Sequence, residues 1–183
     1  MDAVIVDWMR SPFHRAHKGE LKEVRPDEMA GQVARALLSR NNISGKQIDD
    51  LLLGCAYPEG EQGYNVARLV SFLCGLPDTV PGATFNRLCG SSMEAIHVAA
   101  GKISTGSGNC FLVGGMESMS RVKRRGFNWS PHPGLEDSFP EAYINMGITA
   151  ENVADKYSIN RIRQEEFALS SHQKSHFARL EGN

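Results

Sequence analysis

A cysteine does covalent chemistry where its thiolate is both stabilised and reachable. Of the four cysteines, Cys89 has the setting that offers both. It lies in Asn86-Arg87-Leu88-Cys89-Gly90-Ser91-Ser92-Met93. The extended segment Gly82-Ala83-Thr84-Phe85 comes before, and a helical segment from Glu94 to Gly106 comes after. Cys89 therefore falls where strand gives way to helix. Unpaired N–H groups and the positive dipole end of a helix stabilise a thiolate. Gly90, Ser91 and Ser92 keep the turn small, so main chain can approach a group bound at the thiol. A buried structural cysteine at a tight turn is the plainer reading; the strand–helix setting favours the nucleophile.

Other groups with chemical potential carry less. His172 and His176 are four apart on a helical segment, but no carboxylate or third ligand accompanies them, so an exposed face is the better reading. His132-Pro133-Gly134 lies in irregular sequence that nothing places beside Cys89. Arg121-Val122-Lys123-Arg124-Arg125 could meet the phosphates of a nucleotide-bearing substrate, although a solvated loop is preferred for so short a run. Gly114-Gly115 is not followed by the helix a phosphate loop needs. Cys55, Cys74 and Cys110 sit in apolar contexts and read as small core residues.

The eight residues around Cys89 resemble the acyl-enzyme motif of the thiolases, which make and break 3-ketoacyl-CoA. The resemblance extends over nearly the whole chain. Val4-Ile5-Val6-Asp7 with Arg10-Ser11-Pro12-Phe13 is similar to the family's opening strand and loop. Gly114-Gly115-Met116-Glu117-Ser118-Met119-Ser120 is similar to the segment closing its first half. Met146-Gly147-Ile148-Thr149-Ala150-Glu151-Asn152 is similar to a helix start in its substrate-covering loop domain.

This resemblance implies a mechanism. Cys89 becomes acylated, and backbone N–H groups, its own included, hold the oxyanion. A His takes the thiol proton, and a second Cys serves as acid/base. CoA and acyl-CoA are substrates, with no metal and no tightly bound cofactor. Asn145 and Met146 become substrate-binding candidates. Asn145 stands where short-chain acetoacetyl-CoA thiolases usually carry His, and Ser130 to Leu135 looks more like degradative enzymes of fatty-acid oxidation. Thiolases are twice this length, in two similar α/β halves, with the catalytic His and second Cys in the second half. The resemblance thus implies a C-terminal half missing from this chain, which is read as a fragment of a longer protein rather than one half of a split enzyme or a degenerate relative, and a homodimer or tetramer for the whole. A helix beginning Asn65-Val66-Ala67-Arg68 is similar to one used at the family's subunit contact. The alternatives are an acetyl-CoA C-acetyltransferase, a ketoacyl synthase-like condensing enzyme, and a non-catalytic acyl-CoA-binding or assembly fragment.

Positioning Cys89 requires an α/β framework. Ala3 to Trp8 reads as a buried strand. Pro26-Asp27 announces a helix with Asp27 as N-cap, ended by Asn41-Asn42. Ile48 to Cys55, centred on Leu51-Leu52-Leu53, reads as a strand covered on both faces, as in a parallel sheet. Asn65 to Gly75 reads as helix, and Cys110 to Val113 as a further central strand. The fold expected is an α/β, layered α-β-α, thiolase-like half over residues 1–120, its sheet mostly parallel. A mainly helical loop domain begins at 121–183, with helices from Ala150 to Tyr157, capped by Thr149, and from Arg161 to Leu180, capped by Asn160. A net charge of −1 over 183 residues gives no sign of a nucleic-acid or membrane-surface partner. No apolar run approaches a membrane span, the start lacks signal-peptide character, and widely spaced cysteines suit a reducing, cytoplasmic setting.

Overall fold

The structure, a computed structural model, describes residues 2–182. These divide into two compact units between Trp129 and Ser130.

The first unit is built on a three-stranded sheet. The chain runs α1 (Pro26–Arg40), β1 (Asp50–Gly54), α2 (Val66–Leu73), β2 (Gly82–Phe85), α3 (Ser91–Ser104) and β3 (Phe111–Gly115). The strand order is β2-β1-β3, all parallel. In β1 every residue is buried, which explains why Leu51-Leu52-Leu53 shows no polar alternation. Leu51 and Leu53 point to one face with Leu112, where α1 and α2 supply Leu38, Val66, Ala67 and Val70. Leu52 points to the other face with Phe111 and Val113, where α3 supplies Ala95 and Ala99. The result is helix, sheet and helix in three layers, the expected α/β arrangement.

Two glycines set how closely α3 approaches. Gly54 and Gly115 are register partners at the carboxyl ends of β1 and β3. A Cβ on Gly54 would lie 2.4 Å from the Ser91 carbonyl carbon and 2.4 Å from the Ser92 nitrogen. One on Gly115 would lie 2.7 Å from the Ser92 Cβ. The first turn of α3 therefore rests on bare backbone.

Several sequence expectations need correction. Residues 3–8 form no strand: Val4, Ile5 and Val6 are 77–79% exposed. A strand needs a neighbour for its backbone groups, and no strand among the described residues pairs with this segment. Only its end is tied down, with Arg40 donating to Asp7 at 2.6 and 2.9 Å. Those bonds, foremost, hold the Asp7 carboxyl down at about 2. Asp27 does not cap α1; Arg25 holds the N-cap position, and Asp27 bonds the Arg25 guanidinium at 2.6 Å from inside the first turn. The run from Arg121 to Arg125 is not a plain solvated loop. Val122 is fully buried, and Arg121 pairs with Glu61, so this stretch packs with the first unit.

In the second unit, the stretch around His132-Pro133-Gly134, read as irregular, carries the short α4 (Pro133–Ser138). The next helix, α5 (Met146–Lys156), is capped by Asn145 rather than Thr149. The last, α6 (Arg161–Leu180), is capped by Asn160 as expected, its side chain accepting from the Arg163 N–H at 3.0 Å. Gly182, with φ 75°, follows the helix end. None of the described residues of this unit is buried; Ile162, Phe167 and Phe177 are 62–79% exposed. No helix among the described residues is long and apolar enough to cross a membrane.

Candidate functional site

Cys89 sits between β2 and α3, exposed. The helix starts at Ser91, three residues sooner than expected, so a single residue separates it from the thiol. Gly90 is the N-cap and has no side chain with which to cap the amides of the first turn. Helix geometry leaves the N–H groups of that turn without intrahelical acceptors, so partial positive charge faces the region of the thiol.

The turn is held by its own side chains. Leu88 adopts φ 46°, a left-handed conformation unfavourable for a leucine. Asn86 Oδ1 accepts from the Leu88 N–H at 2.9 Å, and Ser91 Oγ donates to the Leu88 carbonyl at 2.5 Å. The same Ser91 hydroxyl accepts from the Arg87 N–H at 2.9 Å. Main-chain bonds from Gly90 N–H to Arg87 O and from Ser91 N–H to Leu88 O close the loop at 3.0 and 3.1 Å. Arg87 reaches forward to Glu94 on α3 at 2.8 Å. The motif reading took Ser91 as merely small; its hydroxyl bridges Arg87 and Leu88.

The other cysteines differ in kind. Cys55 is buried, and burial, then the nearby Glu117 charge, push its thiol up to about 11. Burial likewise raises Cys74 and half-buried Cys110. All are free thiols, and only Cys89 is exposed.

Asn145 and Met146 lie in the second unit. The Asn145 side chain is engaged as the α5 cap, accepting from the Gly147 N–H at 2.8 Å, and Met146 is 60% exposed. His132 precedes α4 and is exposed; His172 and His176 are exposed on α6. Among the described residues no group of three His, Cys, Asp or Glu could hold a metal ion. A cavity of about 330 Å³ lies elsewhere in the first unit, lined by Met9–Ala16, by α1 and by residues Leu112–Ser120. Its lining is mostly apolar and does not include Cys89, so the concavity and the nucleophile are separate features.

The sequence matches the thiolase N-terminal domain over residues 3–183. The chain belongs to the thiolase family. It is 45% identical to a 3-ketoacyl-CoA thiolase of Bacillus subtilis over 99% of this chain and 46% of that protein. It is 44% identical to one of Pseudoalteromonas translucida, over 98% and 46%. It is 43% identical to one of Serratia proteamaculans, over 99% and 47%. The chain spans about half the length of the curated relatives it matches.

Proposed function

We propose that this chain is the nucleophile-bearing half of a thiolase that cleaves 3-ketoacyl-CoA with CoA. The observation that supports this most directly is Cys89, an exposed thiol one residue ahead of an uncapped helix N-terminus, on a turn whose main chain is fixed. The Cys89 sulfur attacks the 3-keto carbon. A carbon–carbon bond breaks, leaving the acyl group on sulfur and the departing fragment as the enolate of acetyl-CoA, which takes up a proton. The thiolate of a second CoA then attacks the thioester, releasing the shortened acyl-CoA and restoring Cys89. The Cys89 N–H serves as one donor to the oxyanion in both steps. A catalytic His and a second Cys come from a C-terminal half. The thiolate attacks carbonyl carbon directly, and CoA and acyl-CoA act as substrates rather than resident cofactors.

In this reading residues 1–129 are the core of the N-terminal half, and 130–183 begin the loop domain, with Asn145 and Met146 near the acyl chain. The uncovered apolar side chains of α5 and α6 are those of a domain completed by further chain. Degradation of fatty acids is proposed over acetoacetyl-CoA synthesis on the resemblance of Ser130 to Leu135 and on Asn145 standing where short-chain enzymes usually carry His, and the setting proposed is cytoplasmic. The exposed Leu69 and Phe72 on α2 suit a homo-oligomer contact. Assay of the complete enzyme, this chain with a thiolase C-terminal half, tests the proposal. Thiolysis of acetoacetyl-CoA or a longer 3-ketoacyl-CoA is expected, abolished by Cys89→Ala. Activity that survives this substitution would defeat it.

A further inference from the structure

The carboxyl end of the sheet carries a polar network that the catalytic reading leaves unused. Gln62 is fully buried, yet all its hydrogen-bonding groups are engaged. Its Nε2 donates to Glu117 Oε1 at 2.6 Å and to the Tyr57 carbonyl at 2.9 Å. Its Oε1 accepts from the Ser118 N–H at 2.6 Å. Glu117 Oε2 accepts from the Ala56 N–H at 2.7 Å. The Ala56 carbonyl in turn accepts from Asn86 Nδ2 at 3.0 Å. Asn86 Oδ1 accepts from the Leu88 N–H at 2.9 Å. A continuous path therefore runs from the buried amide to the strained residue beside Cys89. A parallel tie, from the Cys55 N–H to the Phe85 carbonyl at 2.9 Å, joins the same two segments.

We propose that Glu117 and Gln62 are positioning residues for the Cys89 turn, acting through Ala56 and Asn86. The inference rests on the reading of Cys89 as the acylated nucleophile. Its physical basis is the left-handed Leu88, which persists only where the surroundings over-determine it. If Leu88 relaxed, the peptide between Leu88 and Cys89 would rotate, and with it the N–H that donates to the oxyanion. Asn86 blocks that rotation, but Asn86 is itself exposed and needs a fixed anchor. Ala56, pinned by Glu117, is that anchor. Cys55 completes the network as an inert filler, its sulfur 3.6 Å from Gln62 Nε2.

Donor and acceptor polarity makes the proposal testable with isosteric changes. Glu117→Gln must turn an NH2 towards either the Ala56 N–H or the Gln62 NH2, placing donor against donor. Asn86→Asp keeps an acceptor for Leu88 but sets a carboxylate against the Ala56 carbonyl. In the complete enzyme, transfer of label from radiolabelled acetyl-CoA to Cys89 is followed per folded molecule. Each variant should slow acylation roughly tenfold to a hundredfold, with KM for acetyl-CoA little changed. The double variant should be no slower than the worse single, because both break one path. The swap Gln62→Glu with Glu117→Gln lets position 117 accept from the Ala56 N–H and donate to position 62; it loses the donor to the Tyr57 carbonyl, so it should recover only part of the rate. Asn86→Asp lies at the surface and keeps the test open where Glu117→Gln fails to fold. Wild-type acylation rates in Glu117→Gln and Asn86→Asp would overturn the proposal, as would fully multiplicative losses in the double. A wild-type enzyme that takes no label at Cys89 would instead defeat the thiolase reading beneath it.

Discussion

Replacing Gly54 with alanine would drive a methyl group into the main chain of α3. The added Cβ would sit 2.4 Å from Ser91 C, 2.4 Å from Ser92 N and 2.7 Å from Ser91 O. Ordinary contact begins at 3.4 Å, so the first turn of α3 must move by about 1 Å. These are backbone atoms, which cannot swing aside as a side-chain tip can. Across the register, Gly115 faces Ser92 at similarly close range, so the helix has no slack in that direction. Overpacking of this kind costs about 1–3 kcal/mol in stability. A shift of that size beside the nucleophile should slow Cys89 acylation by roughly a hundredfold. Gly101→Ala is the control: it lies on the same helix with nothing within 4 Å of the new Cβ. It should stabilise by about 0.5–1 kcal/mol and leave the rate unchanged. The assay pairs denaturant titration of the complete enzyme with the rate of acetyl transfer to Cys89. Wild-type stability and rate in Gly54→Ala would refute the argument that α3 rests on bare strand backbone.

Four further outcomes are expected. Iodoacetamide at pH 8 should modify exposed Cys89 well before buried Cys55, whose thiol burial pushes up to about 11; mass mapping that finds Cys55 modified first would contradict this. Lys102→Met should destabilise by about 3 kcal/mol in urea titration, because it strips buried Asp50 of its ion-pair partner at 2.5 Å while Asp50 Oδ1 has no hydrogen-bond partner among the described residues. The Asp7 carboxyl, its pKa depressed mainly by Arg40, should titrate near 2 by NMR. Its tether is then fully present above the ordinary carboxylate value near 3.8 and lost as pH falls through about 2; a midpoint at 3.8 would count against the contact. Residues 1–183 alone should show no thiolysis and should associate on a sizing column, given Phe167 and Phe177 at 79% and 62% exposed. A well-behaved, active monomer would reverse that expectation.

Much of the architecture was legible in the chain. The unbroken Leu51-Leu52-Leu53 run marked a doubly covered strand, and Asn160 marked the start of α6 within one residue. The strand–turn–helix around Cys89 followed from its small residues and flanking periodicity. What misled was partner dependence. Val4-Ile5-Val6 has strand chemistry, but a strand also requires a neighbour, and sequence pattern is blind to whether one is present. Capping failed where two candidates competed: Asp27 is drawn to Arg25, and Asn145 outcompetes Thr149. The Gln62–Glu117 path joins residues far apart in sequence, beyond the reach of local periodicity, while the clamp on Leu88 by Asn86 and Ser91 is local but depends on a left-handed backbone that periodicity does not show. Gly54 and Gly115, each ending one of two adjacent strands, let α3 approach closely, and nothing local in the sequence pairs them.

The central claim is that Cys89 carries the acyl group. The complete enzyme should be incubated with radiolabelled acetyl-CoA, quenched in acid, digested and mapped by mass spectrometry. Label is expected on the peptide containing Cys89, absent in Cys89→Ala and retained in Cys55→Ala, Cys74→Ala and Cys110→Ala. Label on any other peptide, or persisting after Cys89→Ala, would contradict the account.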